Sequence, residues 1–367
     1  MKILCIIDSL GSGGAQRQMV TLSKGLLANG HEVHLLTYMP PDFFKEEISN
    51  SLIKHIYIPK KGKIGFNVIL RLMLLVRRYK YDIIISFLHT PNVYNILSKL
   101  VSPKGTKHIT SERSKSLFKG ISYKKQRATH FFSDYLVSNS FHECNNWRLH
   151  MPSLAKRSIV IYNGLDLNKY HPSGESIEIR NKILIIGTVG PDKNGIAIID
   201  AINTITTDLP ELCVSWFGRH DSHLKVYSEY ADRMIKLLKS YKLDKKWSWK
   251  NPTDEILSEM HHHDVLVLAS ITEGFPNVVC EAMAAGLPVI ISKGLDHKLV
   301  VKEGENGYLF DPFNPSELAE KIRQFFSLDK RAIETMRINA RDTAEKLFNE
   351  KQMIQKYESL FLQLANR

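Results

Sequence analysis

Residues 264–292, DVLVLASITEGFPNVVCEAMAAGLPVIIS, decide the fold class, because they combine two strand signals with one helix signal. The apolar run Val265–Ala269 predicts a buried strand, and Pro288–Ser292 predicts a second one. Between them, Ile271–Phe275 predicts a loop, and Pro276 stands where a first helical residue belongs. Strands that are joined through a helix run parallel, so this stretch predicts an α/β fold.

The same alternation extends over the whole chain. Further strands are predicted at Lys2–Ile7, Glu32–Thr37, Ile83–Phe87, His108–Thr110, Tyr135–Ser138, Lys182–Thr188 and Cys213–Phe217, and a helix at Ala15–Asn29. A loop-like segment, Tyr162–Ser176, separates two such series. We therefore predict two Rossmann-like, doubly wound domains facing across a cleft, at residues 1–170 and 176–345. The last helical run reaches residue 367, and its final part, 346–367, is predicted to return to the first domain.

Composition places the chain among globular proteins. Its residues are 43% hydrophobic and 24% charged, which disfavours the disordered and fibrous classes. The four cysteines are scattered without metal-like spacing, which predicts reduced thiols in a cytosol. Apolar runs fall short of the roughly 18 residues of a membrane span, and the start of the chain does not resemble a secretory signal. We expect a protein that is not integral to a membrane.

The net charge of +12 is concentrated in the first half of the chain. Through Arg180 there are 26 Lys and Arg against 12 Asp and Glu, a net +14, with the highest density at Lys99–Arg127. This pattern suits a solvated basic face, or a surface that meets anionic lipid headgroups or a phosphate-bearing substrate. The run Ile69–Lys80 suits an interfacial helix and, almost equally, a buried helix with a basic end. No recognised nucleic-acid motif accompanies the charge, so nucleic acid is disfavoured.

Two turns have the features of phosphate sites. Glycines 11, 13 and 14 follow the first strand and open a helix, whose first amides and positive dipole end favour an anion. The third glycine of a dinucleotide motif is absent there, and the second strand ends in Thr37-Tyr38 rather than an acid, so NAD is disfavoured.

The second turn carries two glutamates, Glu273 on the loop and Glu281 on the helix. One interpretation is structural: Glu273 faces water, and Glu281 stabilises the first turns of its helix electrostatically. The other interpretation is functional. A carboxylate accepts two hydrogen bonds from vicinal hydroxyls while helix amides meet a diphosphate, and a nucleotide-sugar has both groups.

In these motifs the chain resembles the retaining glycosyltransferases of family 4, which have the GT-B fold, and among them bacterial surface-polysaccharide enzymes. The similarity covers nearly the whole chain. It rests on SGGAQRQ (12–18), GHEV (30–33), VIYNGLD (160–166), GTVGPDKNG (187–195), DVLVLASITEGFPNVVCEA (264–282) and VVKEGENGYLFDP (300–312). The resemblance implies an acceptor-binding first domain and a donor-binding second domain.

The resemblance also implies individual roles. Glu281 would hold the donor ribose, Glu273 would contact the donor sugar near its reacting carbon, and Lys193 would neutralise the leaving diphosphate. Independently of the family, a fixed cation near the departing phosphate lowers the barrier, although Lys193 also suits a plain surface turn. The complete expected donor-binding set is Gly13, Gly14, Arg219, Gly274, Phe275, Pro276, Asn277, Val278 and Glu281.

One position departs from the family pattern. Family members usually carry an arginine a few residues before the lysine, whereas here Gly190 is followed directly by Pro191. We hypothesise that Arg219, in the segment WFGRHD after the next strand, takes its place. A weaker activity, or a donor clamp of different construction, is an equally good explanation.

On the acceptor side, two residues are candidates for deprotonating the acceptor hydroxyl. His89 lies in SFLHTPN and Glu112 in TSERS, each after a predicted strand of the first domain. Both also suit purely structural roles. Because the family often has a histidine followed by an acid where Ser111-Glu112-Arg113 stands, a catalytic histidine at that position is in doubt.

Other chemistries lack their motifs. The run His261–His263 places adjacent side chains in different directions on a helix, so it does not predict a metal site. No Asp-x-Asp and no G-x-S-x-G occurs, which disfavours metal-dependent single-domain transferases and serine hydrolases.

The sequence therefore predicts a transferase that moves a hexose or N-acetylhexosamine from a nucleotide-sugar with retention, and a UDP-sugar is the expected donor. The expected acceptor is a polyisoprenyl-diphosphate-linked glycan of O-antigen or capsule synthesis, at the inner face of the cell membrane. The expected partners also include an anionic membrane surface, and we expect no cofactor. The alternatives are a nucleotide-sugar epimerase of the same architecture and a catalytically weakened nucleotide-sugar-binding protein.

Overall fold

The computed structural model describes residues 1–40, 42–113, 120–175, 178–220, 225–271, 276–294 and 296–366. Its internal contacts divide the chain into two units. One contains Met1–Gly164 together with Glu350–Arg367, and the other contains Leu165–Asn349. The predicted Glu273, Gly274 and Phe275 lie outside the described residues.

The first unit is built on a parallel sheet. Its strands are β1 Lys2–Ile6, β2 Glu32–Thr37, β3 Lys54–Tyr57, β4 Ile83–Phe87, β5 Lys107–Glu112, β6 Tyr135–Ser138 and β7 Ser158–Val160. Its helices up to this point are α1 Gly14–Ala28, α2 Lys45–Ser49, α3 Phe66–Tyr79, α4 His89–Ser98, α5 Gly120–Phe132 and α6 Phe141–His150. The strand order is β3-β2-β1-β4-β5-β6-β7, and every neighbouring pair is parallel. All five residues of β4 are buried, as expected for a central strand that helices cover on both faces.

The second unit repeats this architecture. Its strands are β8 Lys182–Ile186, β9 Cys213–Phe217, β10 Trp247–Lys250, β11 Val265–Leu268, β12 Val289–Ser292 and β13 Gly307–Phe310. Its helices are α7 Gly195–Ile205, α8 Lys225–Ser240, α9 Ile256–His261, α10 Asn277–Ala284, α11 His297–Val300, α12 Pro315–Phe326 and α13 Lys330–Leu347. The strand order is β10-β9-β8-β11-β12-β13, again with parallel pairs.

Both sheets have the doubly wound Rossmann-like order, in which the direction of strand addition reverses once. In the first sheet the reversal lies between β1 and β4, and in the second between β8 and β11. Helices following such a pair of strands leave on opposite faces, which opens a crevice at the strand carboxyl ends. These two reversal points are where a ligand is expected in each unit.

The end of the chain belongs to the first unit. Helix α14, Glu350–Ala365, packs its buried Met353, Tyr357 and Phe361 into the core formed around β1 and β4. Against α1 the approach is close: a Cβ on Gly25 would lie 2.2 Å from Cδ1 of Ile354. The helix that completes the first core is thus Glu350–Ala365, whereas residues 346 and 347 of the segment predicted to return belong to α13.

The long helical run predicted at the end of the chain is interrupted. Helix α13 ends at Leu347, and α14 begins at Glu350. At the break, the Leu165 amide donates to the Phe348 carbonyl at 2.7 Å, and Leu165 forms a bridge with Asn349. These backbone groups pair with the segment that enters the second unit, so they do not continue the helix.

Candidate active site

At the reversal point of the second sheet, the turn after β8 carries Lys193. A Cβ placed on Gly187 would lie 3.0 Å from Cε of Lys193, so the lysine stem lies against this glycine. Gly187 has φ +144°, a backbone conformation that a side chain would strain. The backbone conformation therefore favours glycine here, and any added side chain would also contact the lysine stem.

Arg219 belongs to the neighbouring strand end. The Val189 amide donates to the Arg219 carbonyl at 2.8 Å, which continues the β8–β9 pairing beyond both strands. The side chain of Arg219 is exposed. The structure therefore places the backbone of Arg219 beside the Lys193 turn, and its role in place of the missing family arginine stays a prediction.

The loop after β11 meets the same turn. The Ile271 amide donates to the Asp192 carbonyl at 2.9 Å, which ties the start of this loop to the residue before Lys193. Helix α10 begins at Asn277, with Pro276 just before it, one residue later than the proline signal predicted. Asn277 and Val278 are thus the first helical residues, where backbone amides have no partner within the helix.

Glu281 lies on the buried side of α10. It is 8% exposed, and its neighbour Cys280 is also buried. Burial raises the pKa of the Cys280 thiol well above its usual value, and the nearby Glu281 carboxylate raises it further. Glu281 is thus a buried carboxylate about one helical turn after the start of α10, and its ribose contact stays a prediction.

In the first unit, the glycine turn after β1 has a structural function of its own. Gly13 precedes α1 with an ordinary φ of −70°, and Gly14 is the first helical residue. A Cβ on Gly13 would lie 2.3 Å from Oε1 of Gln16, whose Nε2 donates to Asp8 at 2.8 Å. The glycine therefore makes room for a side chain that closes the turn, and a contact of Gly13 and Gly14 with the donor stays a prediction.

The other side of this reversal point is the end of β4. Leu88 has φ +76°, which is unusual for a residue with a side chain, and His89 is the first residue of α4. Nδ1 of His89 is buried and has no hydrogen-bond partner among the described residues. Burial lowers the pKa of His89, and the Glu112 carboxylate opposes this shift. A neutral imidazole with an unused nitrogen therefore stands at the carboxyl end of β4.

Glu112 ends β5 beside it and is held by a histidine that sequence patterns did not single out. Nε2 of His130, on α5, lies 2.9 Å from Oε1 of Glu112, and Nδ1 of His130 lies 3.1 Å from Oγ1 of Thr110. Glu112 is 4% exposed and His130 1%. Since a carboxylate only accepts, His130 donates through Nε2 and fixes the orientation of Glu112.

Arg113, the next residue, anchors this strand end to α14. Its guanidinium donates to Asn163 Oδ1 at 2.5 Å and to the Tyr357 hydroxyl at 2.6 Å, and Nε donates to Ser111 Oγ at 3.1 Å. The guanidinium carbon lies 3.8 Å from the centre of the Phe87 ring. Arg113 is thus a buried structural residue that links the ends of β4 and β5 to the final helix.

Comparison with protein families decides what these two units are. The model described as Glycosyltransferase Family 4 matches residues 12–169, and the model described as Glycosyl transferases group 1 matches residues 168–343. The chain belongs to these glycosyltransferases. The two matches meet close to the boundary between the structural units, so each unit of the glycosyltransferase corresponds to one family domain.

Two curated relatives illustrate the family. The glycosyltransferase is 25% identical, over 90% of its own length and 91% of the relative's, to an enzyme of Campylobacter jejuni. That enzyme is named N-acetylgalactosamine-N,N'-diacetylbacillosaminyl-diphospho-undecaprenol 4-alpha-N-acetylgalactosaminyltransferase. The present chain is also 26% identical to UDP-Gal:alpha-D-GlcNAc-diphosphoundecaprenol alpha-1,3-galactosyltransferase of Escherichia coli, over 56% of this chain and 54% of that protein.

The fold is shared with solved glycosyltransferase structures. The structure of Anabaena Alr3699/HepE in complex with UDP superposes with a TM-score of 0.86 at 19% identity, covering 99% of this chain and 100% of that one. The predicted GT-B fold is thereby confirmed.

In each of the three consecutive histidines of the glycosyltransferase, one ring nitrogen is hydrogen-bonded to a backbone carbonyl. Nε2 of His261 lies 2.7 Å from the His171 carbonyl, while Nδ1 of His262 and Nδ1 of His263 bond to carbonyls one turn earlier. Within the described part of the chain, no group of three or more His, Cys, Asp or Glu is arranged to hold a metal ion. No helix in that part is long and apolar enough to cross a membrane.

Proposed function

We propose that this glycosyltransferase moves a hexose or N-acetylhexosamine from a UDP-sugar to a hydroxyl of a polyisoprenyl-diphosphate-linked glycan, with retention, in O-antigen or capsule synthesis. The proposed donor site is supported by the hydrogen bond from the Ile271 amide to the Asp192 carbonyl at the reversal point of the second sheet. It joins the Lys193 turn to the loop that leads into α10 and Glu281. The names of both relatives, each with a diphosphate-linked acceptor, support the acceptor half.

The donor site works through charge and hydrogen bonding. Glu281 accepts hydrogen bonds from the ribose hydroxyls, and the first amides of α10, at Asn277 and Val278, meet the diphosphate. Lys193 neutralises the charge that develops on the phosphate oxygen as the sugar departs. Glu273 contacts the donor sugar near the reacting carbon. The choice of UDP as the nucleotide is supported by the Escherichia coli relative, which is named as a UDP-Gal-dependent galactosyltransferase.

Retention requires the acceptor to attack from the face that the diphosphate leaves. The bond from the anomeric carbon to the phosphate oxygen breaks, the bond to the acceptor oxygen forms, and the acceptor proton goes to the departing phosphate. This route needs no protein nucleophile, and the family has no obvious one. His89 and Glu112 lie on the acceptor side, where the unpartnered nitrogen of His89 is suited to contact the attacking hydroxyl.

We expect transfer when the purified protein is incubated with a panel of UDP-sugars and a glycan linked to a short polyprenyl diphosphate. Nuclear magnetic resonance of the product should show the anomeric configuration of the donor. An inverted product would refute retention. Epimerised sugar in reactions that contain donor alone would favour the epimerase alternative, and nucleotide binding without turnover would favour the weakened binding protein.

We further propose that the first unit docks on the anionic inner face of the cell membrane through α3. The helix buries Val68, Leu72 and Val76, whereas Phe66, Leu70 and Leu74 on its opposite face are 66%, 62% and 67% exposed. Arg71, Arg77 and Arg78 are exposed on the same helix. An exposed apolar stripe beside arginines is typical of an interfacial helix.

Docking predicts that the protein floats with anionic liposomes and much less with neutral ones, because each basic residue near an anionic surface contributes about 1 kcal/mol. Leu70→Glu combined with Leu74→Glu should abolish flotation, since both carboxylates would face the lipid. Leu299→Glu, at an exposed leucine of the second unit, is the matched control and should float like the wild type. Equal flotation with anionic and with neutral liposomes would contradict an electrostatic contribution to docking.

A further inference from the structure

A groove of about 560 Å³ in the first unit is not used by the donor chemistry. Its apolar lining comes from partly exposed side chains of α3 and α4, chiefly Ile69, Val93, Ile96 and Leu97. Residues from α5, including Thr129 and Phe132, close the other side. The groove is therefore a trough with a largely apolar floor.

Three lysines line this trough. Lys60 and Lys63 come from the loop before α3, and Lys125 comes from α5. Among the described residues that line the groove there is no Asp or Glu. Three ammonium groups around an apolar trough are complementary to a ligand that joins several negative charges to an apolar chain.

The loop that supplies two of the lysines is held in a defined shape. The Tyr94 hydroxyl donates to the Ile64 carbonyl at 2.6 Å, and Asn67 Nδ2 donates to the Pro59 carbonyl at 2.7 Å. Gly65 has φ +74°, and a Cβ there would lie 2.5 Å from the Tyr94 oxygen, so the loop approaches α4 at a position that only glycine fills comfortably. The lysines thus project from a braced loop.

His89 lines the same groove at the start of α4. From His89 to Leu97 the helix rises about 12 Å at 1.5 Å per residue, which sets the length of the trough's floor. A ligand in the groove therefore runs from the candidate acceptor-side histidine toward the apolar end of α4.

We propose that this groove binds the diphosphate and the adjoining isoprenoid of the lipid-linked acceptor, with Lys60, Lys63 and Lys125 as the diphosphate contacts. The inference rests on the proposed function and adds to it the acceptor's anchoring site. A membrane phospholipid fits the groove less well, because binding of a phospholipid headgroup would not explain why the groove ends at His89. The isoprenoid diphosphate joins two phosphates to one chain, which matches a single trough with three lysines.

Binding of farnesyl diphosphate to the full-length protein, measured by calorimetry without donor, tests the groove separately from transfer. We expect Lys60→Ala combined with Lys63→Ala, and separately Lys125→Ala, to weaken this binding at least tenfold. Farnesyl monophosphate should bind the wild type more weakly, and farnesol more weakly still. Lys156→Ala removes an exposed lysine of the same unit that does not line the groove, and it should bind farnesyl diphosphate as the wild type does.

The results separate the two proposals. Binding that depends on the groove lysines, in a protein that transfers no sugar to any lipid-linked acceptor, would refute the proposed function and leave the site. Transfer in a protein whose affinity for farnesyl diphosphate is the same with and without these lysines would refute the site alone. Loss of flotation with phosphatidylglycerol vesicles in the groove variants, with unchanged farnesyl diphosphate affinity, would assign the lysines to membrane headgroups instead. Circular dichroism and thermal unfolding verify that each variant is folded.

Discussion

Replacing Lys193 by alanine should lower kcat by about 10²- to 10³-fold, the range found when a single preorganised group that stabilises transition-state charge is removed. Charge develops on the phosphate oxygen only as the sugar leaves, so the ground-state affinity for the UDP-sugar should change less than kcat. The lysine stem lies against Gly187, on the turn that follows the carboxyl end of β8. Steady-state kinetics with saturating donor measure the effect directly.

Lys182→Ala is a suitable control for Lys193→Ala. Lys182 is an exposed lysine at the beginning of β8, whereas Lys193 follows the carboxyl end of the same strand. The two variants therefore remove the same charge from regions beyond opposite ends of one strand, β8. Equal losses of kcat would attribute the effect to net charge and contradict a specific contact with the departing phosphate.

Arg219→Ala tests whether this arginine replaces the one that family members usually carry before the lysine and that this chain lacks. Its backbone is paired with Val189 beside the Lys193 turn, and its side chain is exposed. If the two cations share the departing charge, Arg219→Ala should lower kcat about tenfold or more. Unchanged turnover in Arg219→Ala, together with a large loss in Lys193→Ala, would refute the substitution.

The central strands could be predicted from sequence because they are buried on both faces. The predicted bounds of β2, β4, β6 and β9 are the observed ones. The strands β3, β7, β10 and β13 were not predicted, and all four lie at the edges of the sheets. They have only three or four residues, and KHIY and WSWK mix charged with aromatic side chains, so neither a continuous apolar run nor clear alternation identifies them.

The site residues divide in the same way. Lys193 and Glu281 belong to continuous motifs, so their places on a turn and a short helix follow from local sequence and from the family resemblance. His130 meets Glu112 across 18 residues, and Arg113 meets Tyr357 across 244. Such contacts exist only after the sheet and the final helix have assembled, and a lone histidine within a helical segment gives no advance signal. The conformation of the loop that carries Lys60 and Lys63 also depends on a tertiary contact, because Tyr94 lies 30 residues beyond Ile64, whose carbonyl it binds.

Substitutions of the two glutamates in TEGFPNVVCEAMAAGLPVI should affect different steps, one the binding of the nucleotide and the other the transfer of the sugar. Glu281→Gln should raise the dissociation constant for UDP about 10- to 150-fold, because hydrogen bonds to a charged group contribute about 1.5–3 kcal/mol. Its kcat at saturating donor should change much less, since the ribose contact is the same in the ground state and in the transition state. Calorimetric titration with UDP and steady-state kinetics give the two values.

Glu273→Gln should show the opposite pattern: a large fall in kcat with nucleotide affinity nearly kept, because its proposed contact is to the sugar near the reacting carbon. Glu229→Gln, at an exposed glutamate on α8, controls for the loss of one carboxylate from the second unit. If Glu281→Gln and Glu273→Gln change only the thermal unfolding midpoint, the carboxylates act through helix electrostatics, a contribution of about 0.3–1 kcal/mol. Because buried charges are screened less than exposed ones, the 8% exposure of Glu281 strengthens either kind of contact, and the titration with UDP decides between them.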